Sequence, residues 1–596
     1  ISSVQSGGFW TRLTTTLPIL FLTAGAVAIP FLYRRFPQTK KTKACALCWG
    51  LSFLPMLIEP VNKLWHTGSY QAFPVRYGYM PVLFGLWFLA LGLQSRETVP
   101  RRSQQCIVGT TAGVLTAAVL GGAFLLTRAY ETASGYTHTL WISPEAFGLL
   151  AVFGLICLAG VLLVFSFWRW GKGRAFPGIL LMLCLIQAVV YSSLFIGSAA
   201  NIPERSLALL AAGQPQDSGL YRVKPESKFC HVNLLGGAGM PTLSHYTSLT
   251  DSRFLAVMKK LGYSAYWMEV SGCCGTAVSD ILLSNKYILD EDMQFSATGS
   301  GNMGILVPAG ILPETLNQGE RLEEQNRVVQ ALTGERPFTQ YPPVEGKIAI
   351  EGDRTILEPG VIRYEITLSQ PSTLYFDAFD CISTRLQEKI NDAFSITVNG
   401  KKIAESYPTQ SCNGILDLGS FEQGTVLIEV DVSKRVSLCS FGVWGMEVSQ
   451  PAALAAHLPS AELRLKGGTI TGTVDGGEGS ALFLSVPWYQ GMELRVNGNR
   501  VQPRIVLDCF MEIPLPDEKN VVEISYVPAG FWSGLCISAA TVGVVGLFVL
   551  FRRFSWVRRV NQMWMRTAPM LLYTAFLAAL LVIYLFPVVI WVIGKI

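Results

Sequence analysis

Gly534-Leu-Cys-Ile-Ser-Ala-Ala-Thr-Val-Gly-Val-Val-Gly-Leu-Phe-Val-Leu-Phe551 carries no charge, and Arg552-Arg553 follows it at once. About 20 predominantly apolar residues cross a hydrocarbon core, so this stretch reads as a membrane span stopped by a cationic turn. Upstream of it, from about Gly197 to Phe531, lies a polar stretch holding most of the acidic residues, the prolines and the turn signals. That contrast sets the organisation: a large water-exposed domain leading directly into a membrane. The 596 residues are 50% hydrophobic and 15% charged, with mean hydropathy +0.37, where soluble domains carry roughly 25% charged residues. Disorder and an all-soluble protein are excluded, and a net charge of +5 is too small to imply nucleic-acid binding.

Scanning outward gives about eight apolar runs: Thr16 to Leu32, Ala44 to Ile58, Tyr79 to Leu93, Cys106 to Thr127, Ala146 to Phe167, Phe176 to Ile196, Gly534 to Phe551 and Ala568 to Ile593. The expected fold class is therefore a polytopic α-helical membrane protein with a large extracellular α/β plus tandem β-sandwich domain. Lys and Arg in short loops resist translocation. One side would hold sixteen of them, among them Arg34, Lys43, Arg101, Arg174, Arg552 and Arg566, and the other five, Arg12, Lys63, Arg76, Arg128 and Lys595. This bias assigns residues 197–531 to the outside of the cell membrane. It also starts the chain outside, and with Ile1 in place of Met the expectation is that residues are missing upstream.

The expected segments are a six-span region 1–196, an α/β subdomain 197–345, β-sandwich modules 346–449 and 450–531, and a C-terminal transmembrane hairpin 532–596. In the α/β part, Asp251 is placed to cap a helix through Phe254, Leu255, Met258 and Leu261 that closes at Gly262. A second helix, Ala277 to Asn285, leads into Lys286-Tyr-Ile-Leu289. Beyond Gly346, alternating runs such as Val361-Ile-Arg-Tyr-Glu-Ile-Thr-Leu368, Ser395-Ile-Thr-Val398 and Val426-Leu-Ile-Glu-Val430 argue for antiparallel strands. Val398-Asn399-Gly400-Lys401 recurs as Val496-Asn497-Gly498-Asn499, and each Asn-Gly favours a type I′ hairpin.

The loop after the second run reads Glu59-Pro-Val-Asn62-Lys-Leu-Trp65-His66-Thr-Gly68, then Phe73-Pro-Val-Arg76-Tyr-Gly-Tyr79. With Ser244-His245-Tyr246, Leu261-Gly262-Tyr263, Asp280 through Leu289 and Pro487-Trp488-Tyr489-Gln490-Gly491, it resembles the YfhO family of bacterial polytopic membrane proteins over nearly the whole chain. The resemblance implies a GT-C-type glycosyltransferase that takes a sugar from a polyprenyl-phosphate carrier to a cell-surface polymer such as teichoic acid, with inversion at the anomeric carbon. It also places the catalytic carboxylate in a first outside loop upstream of Ile1, so the catalytic residue is unknown here.

The chemistry of the residues themselves runs parallel. No nucleotide-sugar pool exists outside a cell, so a transferase there needs a lipid-linked donor whose phosphate leaves at the membrane surface. Arg76 and His66 are expected to bind that phosphate, since the planar Arg fork donates bidentately. Asn62 and Trp65 would shape the sugar pocket, with Glu59 orienting one of them or binding a hydroxyl. Trp488, Tyr489 and Tyr246 are candidate glycan contacts, with Trp444, Tyr266 and Trp267 as further aromatics of this kind. Interfacial anchoring and core packing are the competing roles.

Asp290-Glu-Asp292 has the D-x-D spacing of metal-dependent transferases but on the wrong side for a nucleotide sugar, and reads as a solvated loop. Gly299-Ser-Gly-Asn-Met-Gly304 lacks a following Lys-Ser/Thr and is no phosphate loop. The five histidines show no metal spacing, Cys45 and Cys48 lack further ligands nearby, and no cofactor or metal is expected. Disulfide pairing is not readable. Two rival functions remain: a transporter or flippase of lipid-linked sugar, and a non-catalytic wall-glycan binder.

Overall fold

The computed structural model describes residues 38–65, 78–94, 204–380 (except 214, 216 and 318) and 390–593, with isolated positions between 95 and 203. The chain divides into two compact units, Ile1–Ile202 with Val542–Ile596, and Pro203–Thr541.

In the larger unit the alternation of the sequence becomes an alternation of burial. Strands Gly360–Leu368 and Gly424–Val432 pair antiparallel along their full lengths, and from the third residue every second side chain points inward, as the period-two geometry of a strand dictates. Phe394–Val398 and Lys401–Tyr407 complete this four-stranded sheet. A second sheet orders Leu416–Phe421, Ser372–Phe379, Ser440–Glu447 and Thr339–Tyr341. Between them lies an apolar core containing Tyr364, Phe376, Phe394, Ile396, Tyr407, Ile428 and Val443.

The following segment repeats the plan with a five-stranded sheet, in the order Glu462–Lys466, Thr469–Asp475, Lys519–Tyr526, Met492–Val496, Asn499–Val501. Its companion sheet of Arg504–Val506, Phe510–Leu515 and Ser480–Leu484 takes its fourth strand, Ile305–Pro308, from far earlier in the chain. Both Asn-Gly pairs sit at hairpin tips, with φ of 49° and 77° at Asn399 and Gly400 and 52° and 77° at Asn497 and Gly498. Two consecutive left-handed residues are what a type I′ turn requires.

The α/β portion has a short parallel pair, Arg222–Pro225 with Asn285–Leu289. Helix Ser252–Lys260 is capped by Asp251, whose side chain accepts from Arg253 N–H, and the chain turns out of it at Gly262 with φ 89°. Ala277–Leu282 starts at a capping box in which Thr276 and Ser279 satisfy each other's backbone N–H groups.

The expectation of about eight spans is corrected. Among the described residues two helices are long and apolar enough to cross a membrane, Phe531–Phe551 with hydropathy 2.3 and Ser555–Phe586 with 2.2, both C-terminal. The remaining described chain is mostly β-sheet. Tyr79–Leu93 forms helix Tyr79–Gln94, whose 16 residues reach only about 24 Å at ~1.5 Å per residue, short of a ~30 Å core. Ala44–Ile58 falls in helix Lys40–Leu57, which begins with three lysines and contains Pro55. Counting apolar letters overstated both, because an apolar run must also be one helix of sufficient length. The runs Thr16 to Leu32, Cys106 to Thr127, Ala146 to Phe167 and Phe176 to Ile196 lie outside the described residues, isolated positions apart.

Candidate functional site

A cavity of about 580 Å³ opens in the Pro203–Thr541 unit where the last strand hands over to the apolar helix. Three segments build its wall: Trp488 and Gly491 to Leu494, the hairpin residues Arg500 to Gln502, and Ser525 to Ser533 around the helix start. The geometry is set by backbone. Gly491 has φ 103°, and a Cβ there would stand 2.1 Å from Val527 O, so only glycine lets the two strands meet. Val527 N–H donates to Gly491 O at 3.1 Å, and Trp488 N–H donates to Cys509 O at 2.9 Å. Gly530, at φ 84°, turns the chain, and Gly534 N–H then donates to Gly530 O at 2.8 Å.

Aromatic faces and charges share this cavity. Trp532 is 64% exposed and meets Phe531 edge-on at 5.3 Å. Glu493 accepts from Arg495 at 2.7 Å and lies 3.2 Å from Arg500 Nη2. The Arg495 hydrogen bond, followed by the charge of Arg500, holds the Glu493 carboxyl below its usual range. Arg500 comes from the second Asn-Gly hairpin. Its guanidinium can exchange Glu493 for a phosphate or a sugar hydroxyl, because it is an exposed pair screened by water. Tryptophan beside an Arg-carboxylate pair and the amide of Gln502 suits a ligand with an apolar ring face and a polar rim, as sugars have.

Of the residues singled out from sequence, Trp488 lines this cavity. Tyr489 adjoins it in sequence without lining it. Burial, followed by the charge of Asp251, raises its hydroxyl above the usual range. Tyr246 belongs elsewhere, in the two-residue strand His245–Tyr246, where its ring meets Trp267 at 6.0 Å. Trp444 is 3% exposed and part of the core.

In the other unit, Glu59 opens the seven-residue helix Glu59–Trp65. Asn62 is buried and donates to Pro55 O at 3.1 Å. Trp65 Nε1 donates to Tyr584 Oη at 3.1 Å, and Tyr584 in turn donates to Leu51 O at 2.9 Å. These polar atoms tie helices together. His66 and Arg76 lie outside the described residues.

Asp290-Glu291-Asp292 is a turn in which Asp290 Oδ1 accepts from the N–H groups of Asp292 and Gln294 at 2.9 and 2.8 Å. No cluster able to hold a metal ion occurs among the described residues. Arg500, Glu493 and Trp532 went unnoticed in sequence. The one available signal was that the Asn-Gly hairpin and the Pro-Trp-Tyr-Gln-Gly segment flank a single strand.

A β-rich domain running without a linker into an apolar, protein-unburied helix, with its cavity at the junction, defines a membrane-attached protein. The family model described as "Bacterial membrane protein YfhO" matches residues 4–538, and the chain belongs to that family. The match takes in every residue lining the cavity. No curated protein matches the chain.

Proposed function

We propose that this bacterial membrane protein is a glycosyltransferase that moves a sugar from a polyprenyl-phosphate carrier to an extracellular cell-surface polymer such as teichoic acid. The cavity beside Trp488 would be the place where glycan is held. The observation that carries the reading is the position of that cavity at the first residues of the apolar helix. A lipid-linked donor presents its phosphate and sugar at the membrane interface, and Phe531 and Trp532 are the aromatic residues that settle there. Arg500 would neutralise phosphate charge developing on the leaving group, and Trp488 would stack on a ring. Arg76, His66, Asn62, Trp65 and Glu59 remain proposed contributors from the preceding loop. A residues-197–531 domain outside the cell and a multi-pass chain belong to the same proposal.

The test is transfer of radiolabelled sugar from polyprenyl-phosphate donors to wall polymer in membranes carrying the protein. Trp488→Ala and Arg500→Ala are expected to lower transfer by tenfold or more, on the order of 1.4 kcal/mol in the barrier, at unchanged expression. Unchanged transfer in both removes the cavity from the site. Absence of transfer from every donor by the wild type, with glycan retained by the protein, would favour a non-catalytic wall-glycan binder.

A further inference from the structure

Away from the cavity, one group of nucleophilic side chains has no part in the chemistry above. Strand Glu269–Cys274 ends in two adjacent cysteines, and Cys412 approaches them from the loop between strands Lys401–Tyr407 and Leu416–Phe421. Cys274 Sγ lies 3.5 Å from Cys412 Sγ and 3.1 Å from Ser264 Oγ. Both cysteines are half-buried.

The approach is enforced by the backbone. Ile415 N–H donates to Gly262 O at 2.7 Å, Asn413 N–H donates to Ser264 Oγ at 2.9 Å, and Ala265 N–H donates to Asn413 Oδ1 at 2.9 Å. Gly414 tolerates no side chain, since a Cβ would stand 2.1 Å from Gly262 O and 2.6 Å from Cys274 Cβ. The loop is thus clamped to strand Tyr263–Tyr266 and carries Cys412 with it. Cys273 is 3% exposed, and its Sγ lies 3.6 Å from Ser411 O. Hydrogen bonds from Cys273 and then Cys412 hold the Cys274 thiol well below its ordinary value, against the opposing effect of burial. A thiolate is the species that attacks disulfides. Cys439 is itself disulfide-bonded.

We propose that Cys274 and Cys412 are a cross-linking site, closing to a disulfide that ties the α/β layer to the β-sandwich loop when an external disulfide oxidises them. Bonded sulfurs stand ~2.05 Å apart, so the 3.5 Å pair must approach by about 1.5 Å to close. The Cys274 thiolate attacks one sulfur of the oxidant and releases its first thiol. Cys412, as thiolate, then attacks Cys274 Sγ and expels the second. Two protons leave the cysteines, and two electrons reduce the oxidant to a pair of thiols.

Full-length protein in membranes, treated with glutathione disulfide, alkylated with N-ethylmaleimide and digested, tests this by mass spectrometry. The expected product is one linked peptide pair containing Cys274 and Cys412, lighter by two hydrogens than its separate thiol forms. Cys273→Ser retains the link, and Cys412→Ser abolishes it and leaves Cys274 as the mixed disulfide with glutathione. Reduction also opens the Cys439 bridge, so the second readout is a difference. The shift of the thermal midpoint between oxidised and reduced protein is larger for the wild type than for Cys412→Ser. Full alkylation of both cysteines in oxidised wild type, or a link between Cys273 and Cys274 instead, would overturn the proposal whether or not the variants fold.

Discussion

Two arginines in the Pro203–Thr541 unit each face a carboxylate, and almost nothing else about them is alike. Arg321 and Asp377 are 2% and 0% exposed. Arg321 Nε donates to Asp377 Oδ1 at 2.9 Å, its Nη1 donates to Lys259 O at 3.1 Å, and its guanidinium lies 4.5 Å from the Phe379 ring centre. Ser440 Oγ donates to the second carboxylate oxygen at 2.5 Å. Arg500 and Glu493 are 69% and 33% exposed. The buried pair has every direction filled by protein, so neither member can leave without stranding the other charge. The pair on the cavity wall is shared with water and can be traded for a ligand. Identical chemistry becomes scaffold in one place and, in the proposed function, a binding surface in the other, and burial makes the difference.

The comparison breaks most sharply at Asp377. Asp377→Ala should cost about 3–5 kcal/mol by leaving a buried guanidinium uncompensated, measured as the loss of unfolding free energy of the solubilised protein. A cost under about 1 kcal/mol would place Arg321 among the exposed pairs. Next comes Gly491→Ala, which puts a methyl against Val527 O at a left-handed φ. A loss of about 1–3 kcal/mol together with a weakened cavity is expected, whereas the same change at Gly498, which has open space around it, should leave the cavity intact. Asp251→Ala removes a helix cap and should cost about 1 kcal/mol in the same unfolding measurement.

Asp217 lies between the extremes. A hydrogen bond from Lys286, then one from Gly219 N–H, holds its carboxyl below the ordinary aspartate range. A depressed folded-state value means that the stabilisation is present above pH 3.8 and is lost as pH falls through the folded value. Asp217→Asn should therefore be less stable than wild type at pH 7, with the gap closing on acidification, and parallel stability curves down to pH 2 would refute it. The smallest effect belongs to Arg500→Ala. It should change unfolding by no more than about 1 kcal/mol, even where it lowers the proposed sugar transfer tenfold.

Local patterns were legible in the sequence. Ile362, Tyr364, Ile366 and Leu368 alternate with solvent-facing residues, and that alternation is written in four consecutive pairs of letters. The two Asn-Gly turns and the Asp251 cap were equally readable, because each depends on residues within one turn of chain. What escaped was everything that distance creates. Arg500, Glu493 and Trp532 meet only after three segments fold together, and each looks like ordinary surface on its own. Trp444, a candidate glycan contact by residue type, faces the core. Hydropathy placed an apolar run at Gly534 to Phe551, inside helix Phe531–Phe551, and overcounted at Ala44 to Ile58 and Tyr79 to Leu93, since it does not register how long the apolar part of a helix is.

Strand Ile305–Pro308 antiparallel to Ser480–Leu484 has a consequence for how the domain is made. A chain emerging N-terminus first presents Ile305–Pro308 long before its partner exists, with two unsatisfied edges and Ile305 and Val307 bare. The last sheet cannot close until Ser480–Leu484 has been synthesised, a few dozen residues ahead of the apolar helix. Completion of the domain and arrival of its C-terminal apolar helix are thus nearly simultaneous. A stalled or truncated chain that ends before residue 480 should expose a sticky edge, marking it for proteolysis.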